Sequence, residues 1–251
     1  MAIRKRIGVL VPATNTTVEP DFHRAAAQVP GLTIHSHRLW LTNEAMFDRE
    51  RGMDRMNSEL EQAAWYLAQG KVVIVTMVGT TNSFYKGPDG SAEMERIMSR
   101  GAGGLPAIST SPSVAMALKH FGAKRISVAT PYPEWNNERL HSYFEAMGFS
   151  VLNVEGEPWA AKAGSQGIND QEPEVIIDFS SKVCRPEADA LFLACTAWRA
   201  AEAAEALEAR LKKPVVTSVQ ATLWRTFFTA GISQPLQGFG ALLREMPAPP
   251  A

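Results

Sequence analysis

Cysteine is scarce: the 251 residues contain two thiols, Cys184 and Cys195. Two cysteines cannot build a disulfide framework, so a reducing, cytoplasmic setting is expected. An excess of either charge is also missing. Lys and Arg number 25 against 26 Asp and Glu, and no basic run is long enough to track a nucleic acid or an anionic membrane. No apolar run reaches membrane-spanning length. The basic start, Met1 to Arg6, leads into a strand pattern rather than the apolar core of a signal peptide. Histidine is sparse: His35 and His37 share a strand face without a third ligand at metal spacing, and His23, His120 and His141 fall on helix patterns. A glycine-rich phosphate loop is absent too. The expected partner is then a small molecule, with no nucleic acid, membrane, metal or cofactor, and the protein is expected to be a monomer or small homo-oligomer.

What is there is a series of short apolar runs alternating with helix patterns. Strands are expected at Lys5–Pro12, Leu32–Leu39, Val72–Val78, Pro106–Thr110, Lys124–Pro131, Ala188–Thr196 and Lys213–Ser218. Helices are expected at Val18–Ala27, Glu59–Gln69, Ala92–Arg100 and Arg199–Leu211. Three strands recur in order at spacings of about 110–120 residues: Lys5–Pro12 in Lys124–Pro131, Val72–Thr80 in Ala188–Thr196, and Leu105–Thr110 in Lys213–Ser218. The second match sets Cys195 against Gly79. The fold class expected is α/β, two pseudo-symmetric flavodoxin-like parallel-sheet halves with a cleft between them. Residues 1–112 plus 222–251 would form one half and 113–221 the other. The tail from Met246 is expected to fray.

Ligands of parallel sheets bind outside the carboxyl ends of the strands. Four loops would then surround one cleft: Pro12–Thr17, Gly79–Ser83, Pro131–Asn137 and Cys195–Trp198. The irregular stretches His35–Met56 and Gly156–Asp170 are candidate walls or lids, and Trp40, Leu41, Met46, Phe47 and Trp159 within them are candidate pocket residues. Cys195 ends an apolar strand before a helix pattern, where oriented N–H groups stabilise an anion or lower a thiol pKa; Cys184 reads as a structural thiol on an amphipathic helix. Gly79, Thr80 and Thr81 form a strand-end turn with two hydroxyls, suited to a carboxylate or enolate or simply to capping. Tyr132, fixed between two prolines, could donate to an oxyanion or lie on the surface. Asn15 could bind a carboxylate or cap the first helix. Glu19 and Asp21 read as first-turn helix charges.

On these residues the chain resembles the aspartate/glutamate racemase superfamily, whose members usually carry one cysteine from each half and work without metal or cofactor. Val78–Gly87 is similar to arylmalonate decarboxylase, in which the first cysteine is a glycine. That resemblance implies a dioxyanion hole of Thr80, Thr81, Tyr132 and backbone N–H groups near Cys195 and Thr196, with Cys195 as proton donor. Val11–Glu19 looks instead like maleate cis-trans isomerase; this implies a substrate carboxylate on Asn15 and, through Gly167–Asp170, on Asn169. Gly79 removes the nucleophile that the isomerases use. It is also expected to leave room for a leaving carboxylate or bulky substituent. The first expectation is therefore a decarboxylase of a substituted malonate-type dicarboxylate. The alternatives are an isomerase of an unsaturated dicarboxylate and a non-catalytic small-carboxylate-binding protein.

Overall fold

A computed structural model describes residues 4–41 and 49–250 of the chain. Met46 and Phe47 lie outside the described residues. The apolar run β1 (Lys5–Pro12) pairs in parallel with β2 (Leu32–Leu39) and β3 (Ile74–Met77), and β3 pairs with β4 (Ala107–Ser109). A second sheet is built from β5 (Arg125–Thr130), β6 (Ser150–Gly156), β7 (Ala190–Leu193) and β8 (Val215–Thr217). The strand orders are β2-β1-β3-β4 and β6-β5-β7-β8, one topology used twice.

Register repeats along with order. Ile7 stands beside Ile74 in the first sheet and Ile126 beside Ala190 in the second; Val75 stands beside Ala107 and Leu191 beside Val215. These are the partners that the sequence repeat pairs. The central strands β3 and β7 are buried along their whole length, as parallel strands covered on both faces must be. β6 escaped the sequence reading because, apart from buried Val151 and exposed Ser150, its residues are half-buried and include Asn153 and Glu155.

Helices α1 (Val18–Ala26), α3 (Leu60–Gln69), α5 (Gly87–Gly101), α7 (Glu134–Ala146) and α10 (Ala200–Leu211) flank the sheets. Between α1 and α3 lies α2 (Arg49–Asn57), and after β3 comes the short α4 (Thr80–Phe84). After β4 and β8 come α6 (Thr110–His120) and α11 (Ser218–Thr229). In the C-terminal stretch, Phe227 packs edge-on against Phe22, and Lys5 Nζ donates to the carbonyls of Ala230 and Gly231. The tail is tied down rather than frayed as far as Pro247, whose carbonyl accepts from Trp224 Nε1 at 2.7 Å. Most of the Gly156–Asp170 stretch is α8 (Ala160–Asp170), interrupted at Gly164, where φ is +71°. Among the described residues no helix is long and apolar enough to cross a membrane.

Candidate active site

A cavity of about 140 Å³ lies where the strand-end loops of the two sheets meet. All four expected loops contribute: Pro12 and Asn15 after β1, Gly79 to Asn82 after β3, Pro131 to Pro133 after β5, and Cys195 to Ala197 after β7. Its outer walls are apolar, with Leu41, Met53 and Met56 on one side and Ala160, Ala161 and Ile168 of α8 on the other. Trp40 and Trp159 are exposed and do not line it. Among the described residues, its lining includes no Lys, Arg, Asp, Glu or His. An anion here must be held by neutral hydroxyls and amides.

Cys195 lies two residues past β7, is 7% exposed, and has φ of +98°. Positive φ is costly for a residue with a side chain, so the surrounding structure must impose it. The expectation of a helix start at the thiol is corrected: α10 begins at Ala200, and a turn intervenes. That turn still aims a donor at the sulfur, since Ala197 N–H donates to Cys195 Sγ at 3.4 Å. The thiol pKa is nevertheless raised. Burial dominates, outweighing the Tyr132 phenol and the N–H groups of Ala197 and Trp198, which pull it down. The thiol is thus kept as S–H at neutral pH, contrary to the lowered pKa that a helix terminus would give.

Tyr132 is buried, with its hydroxyl among Cys195, Thr80 and Thr81 at the cavity. Burial first, then the neighbouring sulfur, pushes its pKa well above the usual phenol range, so it remains a donor. Its backbone is fixed from three sides. Pro131 precedes it, Pro133 follows it as the N-cap of α7, and its carbonyl lies where a Cβ at Gly156 would stand 2.4 Å away, so the edge strand needs glycine at that point. Asn136 Nδ2 donates to Thr81 Oγ1 at 3.0 Å, leaving that hydroxyl's hydrogen for another acceptor.

The repeat extends into the hydrogen bonds that hold the two central strand ends. Gly79 N–H donates to Thr110 Oγ1 at 3.1 Å, and Cys195 N–H donates to Ser218 Oγ at 3.1 Å. Thr110 and Ser218 are the first residues of α6 and α11, at matching places in the repeat. Ser218 Oγ also accepts from Thr80 Oγ1 at 3.0 Å and so ties the hydroxyl loop of one half to the thiol loop of the other. The Cys195 N–H is therefore engaged here, not presented to the cavity as an oxyanion donor. Ser218 was missed by sequence reasoning, although its alignment with Thr110 carried the signal. Met53, Met56 and Asn136 lie within the expected wall His35–Met56 and the expected loop Pro131–Asn137, but residue type alone did not single them out, because it does not aim a helix face at a cleft.

Asn15 fulfils its capping reading and also ties the first half to Thr196. Its Oδ1 accepts from the N–H groups of Thr17 (2.9 Å) and Val18 (3.0 Å), capping α1, while Nδ2 donates to Thr196 Oγ1 at 3.2 Å. The second amide hydrogen has no protein partner among the described residues. Thr196 Oγ1 donates in turn to the Val78 carbonyl across the two halves. Asn169 departs from its expected substrate contact. It does not line the cavity; its Nδ2 donates to the carbonyls of Thr14 (2.9 Å) and Ser165 (2.7 Å), and its Oδ1 accepts from Thr16 N–H and Thr17 Oγ1. With both amide hydrogens used, Asn169 braces the Asn15 loop. Cys184 follows α9 (Pro173–Val183), half-buried and away from the cavity.

An arylmalonate decarboxylase of Bordetella bronchiseptica is 27% identical over 242 residues, spanning 95% of this chain and 96% of that protein. A maleate isomerase of Geobacillus stearothermophilus is 22% identical over 254 residues, spanning 97% and 98%. The structure of a Nocardia farcinica maleate cis-trans isomerase variant with a covalently bound succinylcysteine intermediate shares the fold. It has a TM-score of 0.85 at 22% identity and covers 96% of this chain and 98% of that one. The family model described as arylmalonate decarboxylase matches residues 7–243, a span that holds both sheets and every loop around the cavity, and the chain belongs to that family.

Proposed function

We propose that the protein is a cofactor-independent decarboxylase of a substituted malonate, with an aryl-substituted malonate as the first substrate to assay. The observation that carries this reading is the single cavity thiol, held protonated among hydroxyls, while the position matching it in the other half has no side chain. One carboxylate of the substrate binds at Thr81 and Tyr132 and at Thr80, whose hydroxyl turns its hydrogen from Ser218 Oγ to the bound anion. The other lies against apolar wall, where its charge is poorly stabilised. Cleavage of the Cα–carboxylate bond releases carbon dioxide and leaves the electron pair in an enediolate whose negative oxygens face the hydroxyls. Charge moves from a poor site to a good one, so the hydroxyls stabilise the transition state more than the ground state. Cys195 Sγ–H then protonates Cα, and the thiolate recovers a proton from water.

The isomerase reading retains one favourable feature, the spare amide hydrogen of Asn15 at the cavity. It requires a thiolate that adds to a double bond, and the raised pKa of Cys195 opposes that. The two readings therefore differ in pH dependence. For a thiol acid, the active form is S–H, which persists below the folded-state pKa and is lost as pH rises through it. Carbon dioxide release from phenylmalonate should be level across neutral pH with respect to this group. It should fall only above the ordinary thiol range, since burial raises the folded-state pKa. A rate that climbs with pH over the same interval, or conversion of maleate to fumarate with no decarboxylation, refutes the proposal. Thermal shifts with diacids but no product from either would indicate a binding protein.

A further inference from the structure

We infer that Asn82 is the residue that restricts this site to one thiol. The backbone does not require glycine at position 79: its φ of −153° and ψ of 116° are extended values open to any residue. Space does. A Cβ on Gly79 would stand 2.2 Å from Asn82 Oδ1 and 2.7 Å from Met77 Cε. The expected vacancy at Gly79 is therefore already filled by the Asn82 amide.

Met77 can yield, because the atom involved ends a flexible chain. Asn82 is held. It is 3% exposed, and its Nδ2 donates to Asn57 Oδ1 at 3.2 Å while Asn57 Nδ2 reaches the Asn82 carbonyl at 3.5 Å. These two contacts together orient both amides and turn Asn82 Oδ1 toward Gly79. There it is buried with no hydrogen-bond partner among the described residues. A buried acceptor without a donor is costly, and its position excludes any side chain from the strand end that matches Cys195. A mutation at position 79 alone thus cannot place a second group productively; Asn82 must change with it.

The functional consequence rests on the proposed placement of substrate between position 79 and Cys195. A thiolate introduced by Gly79→Cys would remove the Cα proton of the product acid, the bond pair passing into the enediolate. Cys195 Sγ–H would protonate the other face. The introduced sulfur ends as a thiol and Cys195 as a thiolate, ready for the reverse reaction, so the net result is racemisation with no co-reactant.

A double-mutant cycle tests the steric claim without any assay of activity. Gly79→Ala alone should lower Tm by about 5 °C, as expected for overpacking in a chain of this length. In the presence of Asn82→Ala, the same change should lower it by less than half as much. Asn82→Ser supplies the second background if the alanine variant folds poorly. Additive shifts in both backgrounds overturn the inference. The functional arm follows loss of optical activity of enantiopure 2-phenylpropionate. Gly79→Cys combined with Asn82→Ala should racemise it at least tenfold faster than Gly79→Cys alone, and equal, measurable rates in the two variants overturn the inference. Coupled Tm shifts with no racemisation by either variant would uphold Asn82 as the block and refute the proposed substrate placement instead.

Discussion

Replacing Cys195 by alanine is expected to lower kcat for decarboxylation about a thousandfold, the middle of the range for loss of a positioned general acid. The sulfur is the lone thiol in the cavity, and burial keeps its proton in place at neutral pH. Alanine removes the proton donor while leaving Tyr132, Thr80 and Thr81 in position to bind the substrate carboxylate. KM should therefore change much less than kcat. Thermal unfolding near that of the parent, with steady-state kinetics on phenylmalonate, separates lost chemistry from lost folding. A variant that retains more than a tenth of the parent kcat would exclude Cys195 as the donor.

Tyr132→Phe should cost about a hundredfold to a thousandfold in kcat, the usual loss of one donor from an oxyanion site. The phenol serves two partners, and this produces a second effect. Its hydrogen bond lowers the pKa of Cys195 against the larger upward pull of burial. Phenylalanine removes that downward pull, so the thiol pKa rises further and the alkaline fall in activity should move to higher pH. A tyrosine that only fills space would leave the position of that fall unchanged. Together, the size of the kcat loss and the direction of the pH shift distinguish a phenol acting on the reacting atoms from one that supports the loop.

The parts of this molecule legible in the sequence are those with a long-range pattern. β1 and β2 were readable to the residue because their apolar runs are bounded by turns, and the repeat of Gly79 against Cys195 pointed to one shared cleft. The repeat even contained the Thr110 and Ser218 pair, whose hydroxyls accept the N–H groups of those two residues. Illegible were properties set by the third dimension. α4 is built from hydroxyl and amide residues that read as loop. Asn169 carries a residue type suited to a carboxylate, yet its hydrogen-bonding capacity is consumed by backbone of the Asn15 loop and of α8. The choice between a stabilised anion and a lowered thiol pKa at Cys195 was not legible, because burial is a property of packing and outweighs the local N–H groups. Gly79 implied empty space, and a side chain three residues further along occupies it.

The central claim is that one sulfur delivers one proton to one face of an enediolate. Decarboxylation of prochiral 2-methyl-2-phenylmalonate in D₂O, followed by chiral separation and NMR of the product, tests it directly. The account predicts a single enantiomer of 2-phenylpropionate with one deuterium at Cα and no further exchange on standing with enzyme. Racemic product would contradict it, because a mixture of hands means that the proton arrives from both sides.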